Sequence, residues 1–472
     1  KPGDAAPPPT PEEAELQRSE AEQGILGDAE NRLRCEGIWP ARGIRHTPGA
    51  FDDGFQEVLR HFQQKHMVYE PPYLRKDTMA RLAQRPLDND LDSLRRVLRE
   101  RVVSAAAILE DGSINAAAGT SGSAEAPRNL VDEFTDRALQ QLGWTTKEAA
   151  LAFFKAHPAE DFSWLRVAVR LPPLPDYYAP NMDLSLVIDR GDVYYDAPFD
   201  EKGKERSQSR NVFPSLTLYL NHNGQKRPLV RWRTTIGGWR SEQAADGYEY
   251  FRYKGSDVGP RVIRNVISGP VWIAPESTPI RTLVKGKSVR GTYQGVVNYD
   301  EIGPGFRSAY GLVAGYFVVP GVDGKPDFDN GIRAHGSAEY LSINSSEGFS
   351  HGCHRLHNHL AVRLYSFILS HRNIRVVGDL VLNSGRSFLY KDDIYELRIP
   401  SRGFAYVLEP PLPVNVLEGN IKGERKTPIT EYVPKPGVVY PGAPPPLPGQ
   451  KGEDRSGGTE AAVESAPKGG KP

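Results

Sequence analysis

Apolar residues recur along this chain at two different periods, and the change from one to the other divides it. From about residue 25 to 160 the period is helical. Phe51, Phe55, Val58, Leu59 and Phe62 fall at i, i+4, i+7, i+8 and i+11, the apolar face of one helix. Leu91, Leu94, Val97, Leu98 and Val102 continue in helical register, and a block from Asn129 to Ala156 carries Leu139, Leu142, Ala149, Leu151 and Phe154. From about residue 163 alternating and β-branched runs take over: Leu165–Arg170, Asp183–Asp189, Leu216–Leu220, Leu229–Ile236, Arg261–Ile267, Val271–Ile273 and Ile374–Val381, with Asp392–Ile399 and Ala405–Leu408 as a closing hairpin. Turn-forming residues such as Asn221-His222-Asn223-Gly224 separate them. The pattern predicts an α+β multidomain protein, helical first and mostly β afterwards.

Segment composition sets the expected boundaries. Residues 1–24 begin Pro-rich and become acidic, which reads as a disordered tether. A helical module over 25–90, a helical connecting region over 91–164 and a β-rich domain over 165–420 follow. Ala116 to Arg128 is a small-residue loop, and 421–472 is a Pro- and Gly-rich tail expected to be disordered. The 472 residues carry 59 basic and 59 acidic side chains, a formal net charge of +0. That balance shows no basic stripe for nucleic acid, and no apolar run reaches the length of a transmembrane segment. Lys1 is not a methionine, which leaves an export signal ahead of it open.

The chemistry concentrates between Ala334 and Asn358 (AHGSAEYLSINSSEGFSHGCHRLHN). His335, His351, His354 and His357 lie there, four of eleven histidines, with Cys353, one of two cysteines. A thiol becomes a nucleophile when an imidazole takes its proton, and His335 and His351 are both available. Ser350-His351-Gly352-Cys353 suits a tight turn whose N–H groups could stabilise an oxyanion. Leu356, Leu360, Leu364, Phe367 and Ile368 have helical spacing, with Asn358 as candidate N-cap, and a helix starting just past the thiol would favour its anion. A zinc site using Cys353 with His351, His354 or His357 is the competing reading; the spacing fits no common zinc pattern and HExxH does not occur. A disulfide between Cys35 and Cys353 would silence the nucleophile, and a free, buried Cys35 is expected.

These residues resemble the active-site signature of L,D-transpeptidases with a YkuD-type catalytic domain: a His, about fourteen to seventeen residues, then Ser/Thr-His-Gly-Cys, usually followed by a small apolar residue and Arg or Asn. Here His335 is followed by residues 336–349, then Ser350-His351-Gly352-Cys353; Arg355 fits, and His354 replaces the apolar residue. The resemblance implies a mostly-β, sandwich-like domain with its active site at one end. It implies Cys353 as nucleophile and His335 as general base, oriented by the carbonyl of Gly336. The N–H groups of His351, Gly352 and Cys353 would line the oxyanion hole, with His351 also at the catalytic centre. Ser350 and Arg355 would bind or shape the donor, and Tyr310, Tyr316 and Trp272 are substrate-contact candidates. Thr234-Thr235-Ile236-Gly237-Gly238 and Gly269 to Pro275 look like borders of the family's groove.

Leu33, Gly37, the helix over Val58 to Gln63, and Leu74, Thr78, Met79 and Leu82 resemble in part a peptidoglycan-binding module, with its "Phe-Gln, turn, Thr-x-x-x-Leu" layout. Pro40-Ala41-Arg42-Gly43 and Pro71-Pro72-Tyr73-Leu74 stand where that module usually has Asp-Gly loops. Together the resemblances imply an exported enzyme of the periplasm or cell envelope that acts on peptidoglycan stem peptides and needs no metal or organic cofactor, with carbapenems as covalent inhibitors. A hydrolase on the same scaffold, trimming stems with water, and a non-catalytic wall-binding scaffold remain the alternatives.

Overall fold

In a computed structural model of the chain, the residues described are 24–39, 45–114, 128–200, 202–243, 249–276, 278–289, 292–344 and 350–438. The expected tether, nearly all of the Ala116–Arg128 loop and the tail past 438 therefore lie outside them. The chain divides into two compact units, one within residues 1–99 and 136–170, the other within 100–135 and 171–472. Helices precede a large mixed β-sheet, an α+β arrangement.

In the first unit, helix α1 (residues 24–35), α2 (Asp53–His66) and α3 (Lys76–Ala83) enclose a core of Leu33, Trp39, Phe55, Val58, Leu59, Phe62 and Leu82. The predicted face is the buried one, except that Phe51 lies outside the helix and is exposed. Each fully buried Phe contributes about 1.5–3 kcal/mol. Asp52 caps α2 by accepting from Phe55 N–H at 2.9 Å, and His46 bridges Asp52 and Glu30 at 2.7 and 3.0 Å. The Phe-Gln…Thr layout has a physical cause. Buried Gln63 donates to Thr78 Oγ1 at 2.8 Å and to the Pro71 carbonyl at 2.9 Å, tying α2 to the turn before α3, while Thr78 donates to Glu70. Cys35 is free but exposed, against expectation: it follows buried Leu33 by two positions, about half a helical turn, and so faces away from the core.

The expected break at residue 90 does not occur, because α4 runs unbroken from Pro86 to Ala106; α5 (Leu130–Leu142) and α6 (Lys147–Ala156) complete the helical segment. The unit boundaries fall within α4 and α5. Leu165–Arg170, expected as a strand, has no regular structure.

The second unit opens with β1 (Asp183–Asp189), β2 (Asp192–Tyr194), β3 (Ser215–His222) and β4 (Gln225–Arg233). Then come β5 (Gly238–Gln243), β6 (Glu249–Lys254), β7 (Gly259–Ser268), α7 (Ile280–Leu283), β8 (Val284–Val289), β9 (Thr292–Val297) and α8 (Tyr299–Ile302). The site-bearing stretch holds β10 (Val313–Val318), β11 (Arg333–Ser337), α9 (Tyr340–Asn344), β12 (His354–His357) and α10 (Asn358–Ser370). The chain closes with β13 (Ile374–Tyr390), β14 (Asp393–Val416), β15 (Asn420–Lys422) and β16 (Val433–Pro434).

Among the described residues, one nine-stranded sheet has the order β12-β11-β10-β7-β14-β1-β3-β4, with β13 paired to β14 off that path. The pairs β11–β12 and β1–β14 are parallel and the other pairs are antiparallel. The core joins Leu184, Leu186, Ile188, Leu218, Ile263, Val266 and Phe317 to the inner face of α10 through Leu364, Phe367 and Ile368. Leu109 belongs to this core, and Asp111 accepts from Trp232 Nε1 at 2.8 Å, so residues 100–114 are part of the β unit and not of a connector.

Three expectations are corrected here. Val271–Ile273 is not a strand, since its N–H groups go to two different elements rather than along one ladder: Val271 donates to Arg402 of β14 and Trp272 to Ile302 of α8. The closing hairpin is not confined to 392–408, because β14 is one bulged strand of 24 residues that pairs with β13, then β7, then β1. The tail does not begin at 421 either. β15 pairs with β2, β16 pairs with β6, and Lys435 Nζ meets Glu249 at 2.5 Å; backbone pairing to earlier strands orders this Pro-rich stretch despite its composition.

Replacing Gln63 with Met keeps the volume but removes the side-chain donor to Thr78 Oγ1 and to the Pro71 carbonyl, which keeps only the Tyr73 N–H. The expected cost is about 1–3 kcal/mol, read as faster hydrogen exchange across α2 and α3 with the β unit unchanged.

Candidate active site

The parallel pairing of β11 with β12 builds the site. Parallel neighbours require a crossover of a dozen or more residues, and here residues 338–353, carrying α9, supply it. The gap between His335 and the Ser-His-Gly-Cys turn is therefore set by that crossover. The register sets Ala334 opposite His354 and His335 opposite Arg355. Residues directly opposite share a face, so Arg333, His335 and Arg355 lie on one side of the ladder, and the same alternation carries Cys353 there. With strands ~4.8 Å apart and ~3.3 Å rise per residue, the Cα atoms of His335 and Cys353 are roughly 8 Å apart on the diagonal, within reach of an imidazole and a thiol.

His335 is 2% exposed, and its Nδ1 lies 2.8 Å from the carbonyl of Gly336. A carbonyl only accepts, so Nδ1 carries the proton and the lone pair is left on Nε2. Burial, reinforced by the positive charge of Arg355, lowers the imidazole to about 3, which keeps it neutral at ordinary pH. The ring of Tyr310 stands edge-on to it at 5.0 Å, and burial and the neighbouring Cys353 push that phenol up, so Tyr310 also stays neutral.

Half-buried Cys353 hydrogen-bonds through Sγ to the carbonyl of Gly331 at 3.6 Å. Burial raises its thiol above the usual range, against the pull of the Arg333 guanidinium, the Arg333 N–H and Arg355. The resting pair is thus a neutral thiol and a neutral imidazole. The expected helix effect does not reach the thiol, because β12 intervenes before α10 starts. Nor is Asn358 the N-cap: that position is His357, and the Asn358 side chain accepts from Leu312 N–H and donates to the Phe306 carbonyl.

The turn 350–353 is held through its carbonyls. Ser256 donates to Gly352 O at 2.8 Å, Arg240 Nε to Ser350 O at 2.9 Å and Thr234 Oγ1 to Arg355 O at 2.9 Å. Thr235 Oγ1 donates to Cys353 O at 2.9 Å while accepting from Arg355 N at 3.0 Å, so one hydroxyl stands in for a missing strand partner. Gly352 has φ +110°, and a Cβ there would come within 2.7 Å of Ile332. A Cβ at Gly237 would meet Lys254 O at 1.5 Å and Gly352 N at 2.7 Å. Glycine is required at both positions.

The remaining expected residues are placed as follows. Ser350 is buried and bonds to Cys353 O, so its hydroxyl closes the turn. The side chain of His351 is exposed. Arg355 Nη1 donates to Ser342 Oγ at 3.2 Å. Tyr316, 9% exposed, lies under the Arg333 guanidinium at 3.8 Å. Trp272 packs in a separate cluster with Val271, Leu283, Ile302 and Phe388. His354 fills an apolar core position: it is fully buried, its ring is 5.3 Å from Phe317, and its Nδ1 donates to Thr235 O at 3.1 Å. Among the described residues no three His, Cys, Asp or Glu side chains cluster as metal ligands would.

Sequence reasoning missed Asp329, Gly331 and Arg333. Asp329 accepts both Arg333 nitrogens at 2.6 and 2.8 Å and the Gly331 N–H at 2.8 Å, shaping the turn that offers Gly331 O to the thiol. The period-two spacing of Arg333 and His335 was the available signal. Comparison of the chain with family models, curated proteins and solved structures gives no match.

Two outcomes follow from these protonation states. Alkylation of Cys353 by iodoacetamide should keep rising with pH beyond the ordinary thiol range, with no thiolate plateau at pH 5–7; rate against pH by mass spectrometry checks this. Stability should fall with acidity. His335 and His354, lowered to about 3 and about 4, refuse protons that the unfolded chain accepts below about 6.5, so stability present above 6.5 is lost as pH falls toward those values. In urea unfolding between pH 4 and 6.5, His354→Gln should flatten that slope by about 1.4 kcal/mol per pH unit.

Proposed function

We propose that this chain is a cysteine-dependent L,D-transpeptidase that joins peptidoglycan stem peptides by 3→3 cross-links. The observation carrying the reading is the diagonal placement of Cys353 and His335 across β11–β12, with Nδ1 of His335 turned to Gly336 O so that Nε2 is the basic atom. The motif resemblance supports it, and the partial resemblance of the N-terminal helices to a peptidoglycan-binding module supports wall binding.

The thiol proton passes to His335 Nε2 as Cys353 Sγ attacks the peptide carbonyl at the diamino-acid residue of a tetrapeptide donor. Because thiol and imidazole both rest neutral, proton transfer accompanies the attack and no preformed ion pair is needed. N–H groups of the 351–353 turn, fixed from behind by Thr235, Ser256 and Arg240, take the oxyanion charge. His335 returns the proton to the departing D-alanine amine as the carbon–nitrogen bond breaks, leaving a thioester. A side-chain amine of a second stem attacks the thioester, loses its proton to His335, and the thiolate leaves and is reprotonated. Product analysis separates the transpeptidase from a hydrolase. Export to the periplasm or envelope belongs to the same proposal; among the described residues no helix is long and apolar enough to cross a membrane.

Intact-protein mass spectrometry with a tetrapeptide donor should give an adduct of the tripeptide acyl group on the parent chain and none on Cys353→Ala. His335→Gln should slow its formation by 10²-fold or more. With acceptor stem present, cross-linked dimer should form; tripeptide without dimer means a hydrolase, and an equal adduct on Cys353→Ala sinks the nucleophile.

A further inference from the structure

Behind the Cys353 turn lies a group of buried cations and hydrogen-bond donors that the proposed chemistry does not use. Arg190, in the turn between β1 and β2, is 2% exposed, and Arg210, before β3, is 7% exposed. Among the described residues no carboxylate reaches salt-bridge distance of either guanidinium. The buried carboxylate nearby, Asp192, is engaged by Asn211 N–H, Val212 N–H and Lys422, and Arg210 Nε reaches only its main-chain oxygen, at 2.9 Å. A buried charge left uncompensated costs several kcal/mol, far more than an exposed one.

The neighbours supply hydroxyls and N–H groups rather than carboxylates. Arg190 Nη2 donates to Tyr195 OH at 3.2 Å, which leaves the Tyr195 proton free to point elsewhere. The ring of Tyr253 stands edge-on to Tyr195 at 5.3 Å and to Trp239 at 5.8 Å, and burial pushes the Tyr253 phenol up to about 12, so it keeps its proton. Arg190 Nε and Trp239 Nε1 are buried N–H groups with no partner among the described residues. Orphaned buried donors are rare, and Arg190 Nε, on one of two buried cations with no carboxylate partner among the described residues, calls for an acceptor carrying negative charge. Water could satisfy an N–H but not the charge.

We propose that Arg190 and Arg210, with the Tyr195 and Tyr253 hydroxyls, hold a small monovalent inorganic anion of the chloride type behind the Cys353–His354 strand. The anion neutralises the guanidinium pair and accepts the orphaned Arg190 Nε–H. It is a structural ligand, and it also tempers the Arg190 charge that acts on His354, the residue after the nucleophile.

Crystals of the full chain soaked in sodium bromide should show an anomalous peak beside Arg190 Nε. In solution, the full chain should melt several degrees higher in sodium chloride than in sodium gluconate of equal ionic strength, the shift growing with the logarithm of chloride concentration. In Arg190→Met that chloride-specific increment should vanish. A water or empty density at that position, equal melting in both salts, or a chloride increment that survives in Arg190→Met would each overturn the proposal. The bromide map on the parent chain decides the matter even where the variant folds poorly.

Discussion

The site depends on one parallel strand pair. β11 and β12 lie side by side in the sheet, and the crossover between them carries the chain through α9 and back to a turn that ends on Cys353. Had the two strands paired antiparallel, a short hairpin would have sufficed and the His–Cys spacing would differ. The pairing puts Arg333, His335, Cys353 and Arg355 on one face and Ala334, His354 and Leu356 on the other, where the core begins. A slip of one residue would exchange these sets, burying the thiol in the core and sending His354 outward. The site's chemistry and the sheet's packing are thus one constraint.

Around that pair the protein spends polar contacts on immobility. Thr235, Arg240 and Ser256 engage carbonyls of the turn, and Thr234 engages the Arg355 carbonyl of β12; all four come from the β4–β7 region. Asp329 braces Arg333 and the Gly331 turn from the opposite flank. Burial keeps His335 and Cys353 neutral at ordinary pH, so the environment of the thiol, rather than its intrinsic acidity, sets its protonation state.

Much of this architecture was legible in the chain. The helical face over Phe55 to Phe62, the strands near 183–189, 216–220, 229–233 and 261–267, and the Gly352 turn follow from periodicity and from positive-φ sterics, which are local properties. Misreadings arose where a remote partner decides. Val271–Ile273 has strand-like residues but bonds singly to β14 and α8, and the Pro-rich stretch after 420 is ordered by pairing with β2 and β6. Asn358 looked like a helix cap, yet its amide is claimed by the loop at 306–312.

By itself the sequence determined which residues could do chemistry, because a thiol, an imidazole and a glycine turn at one fixed spacing carry their reactivity and their sterics with them. Only the tertiary structure decided which nitrogen of His335 is basic, that the thiol rests protonated, and that Arg333, Asp329 and a pair of buried arginines surround the turn. Protonation states follow from burial and neighbouring charge, and both are set by contacts between residues far apart in the chain, which no local pattern encodes.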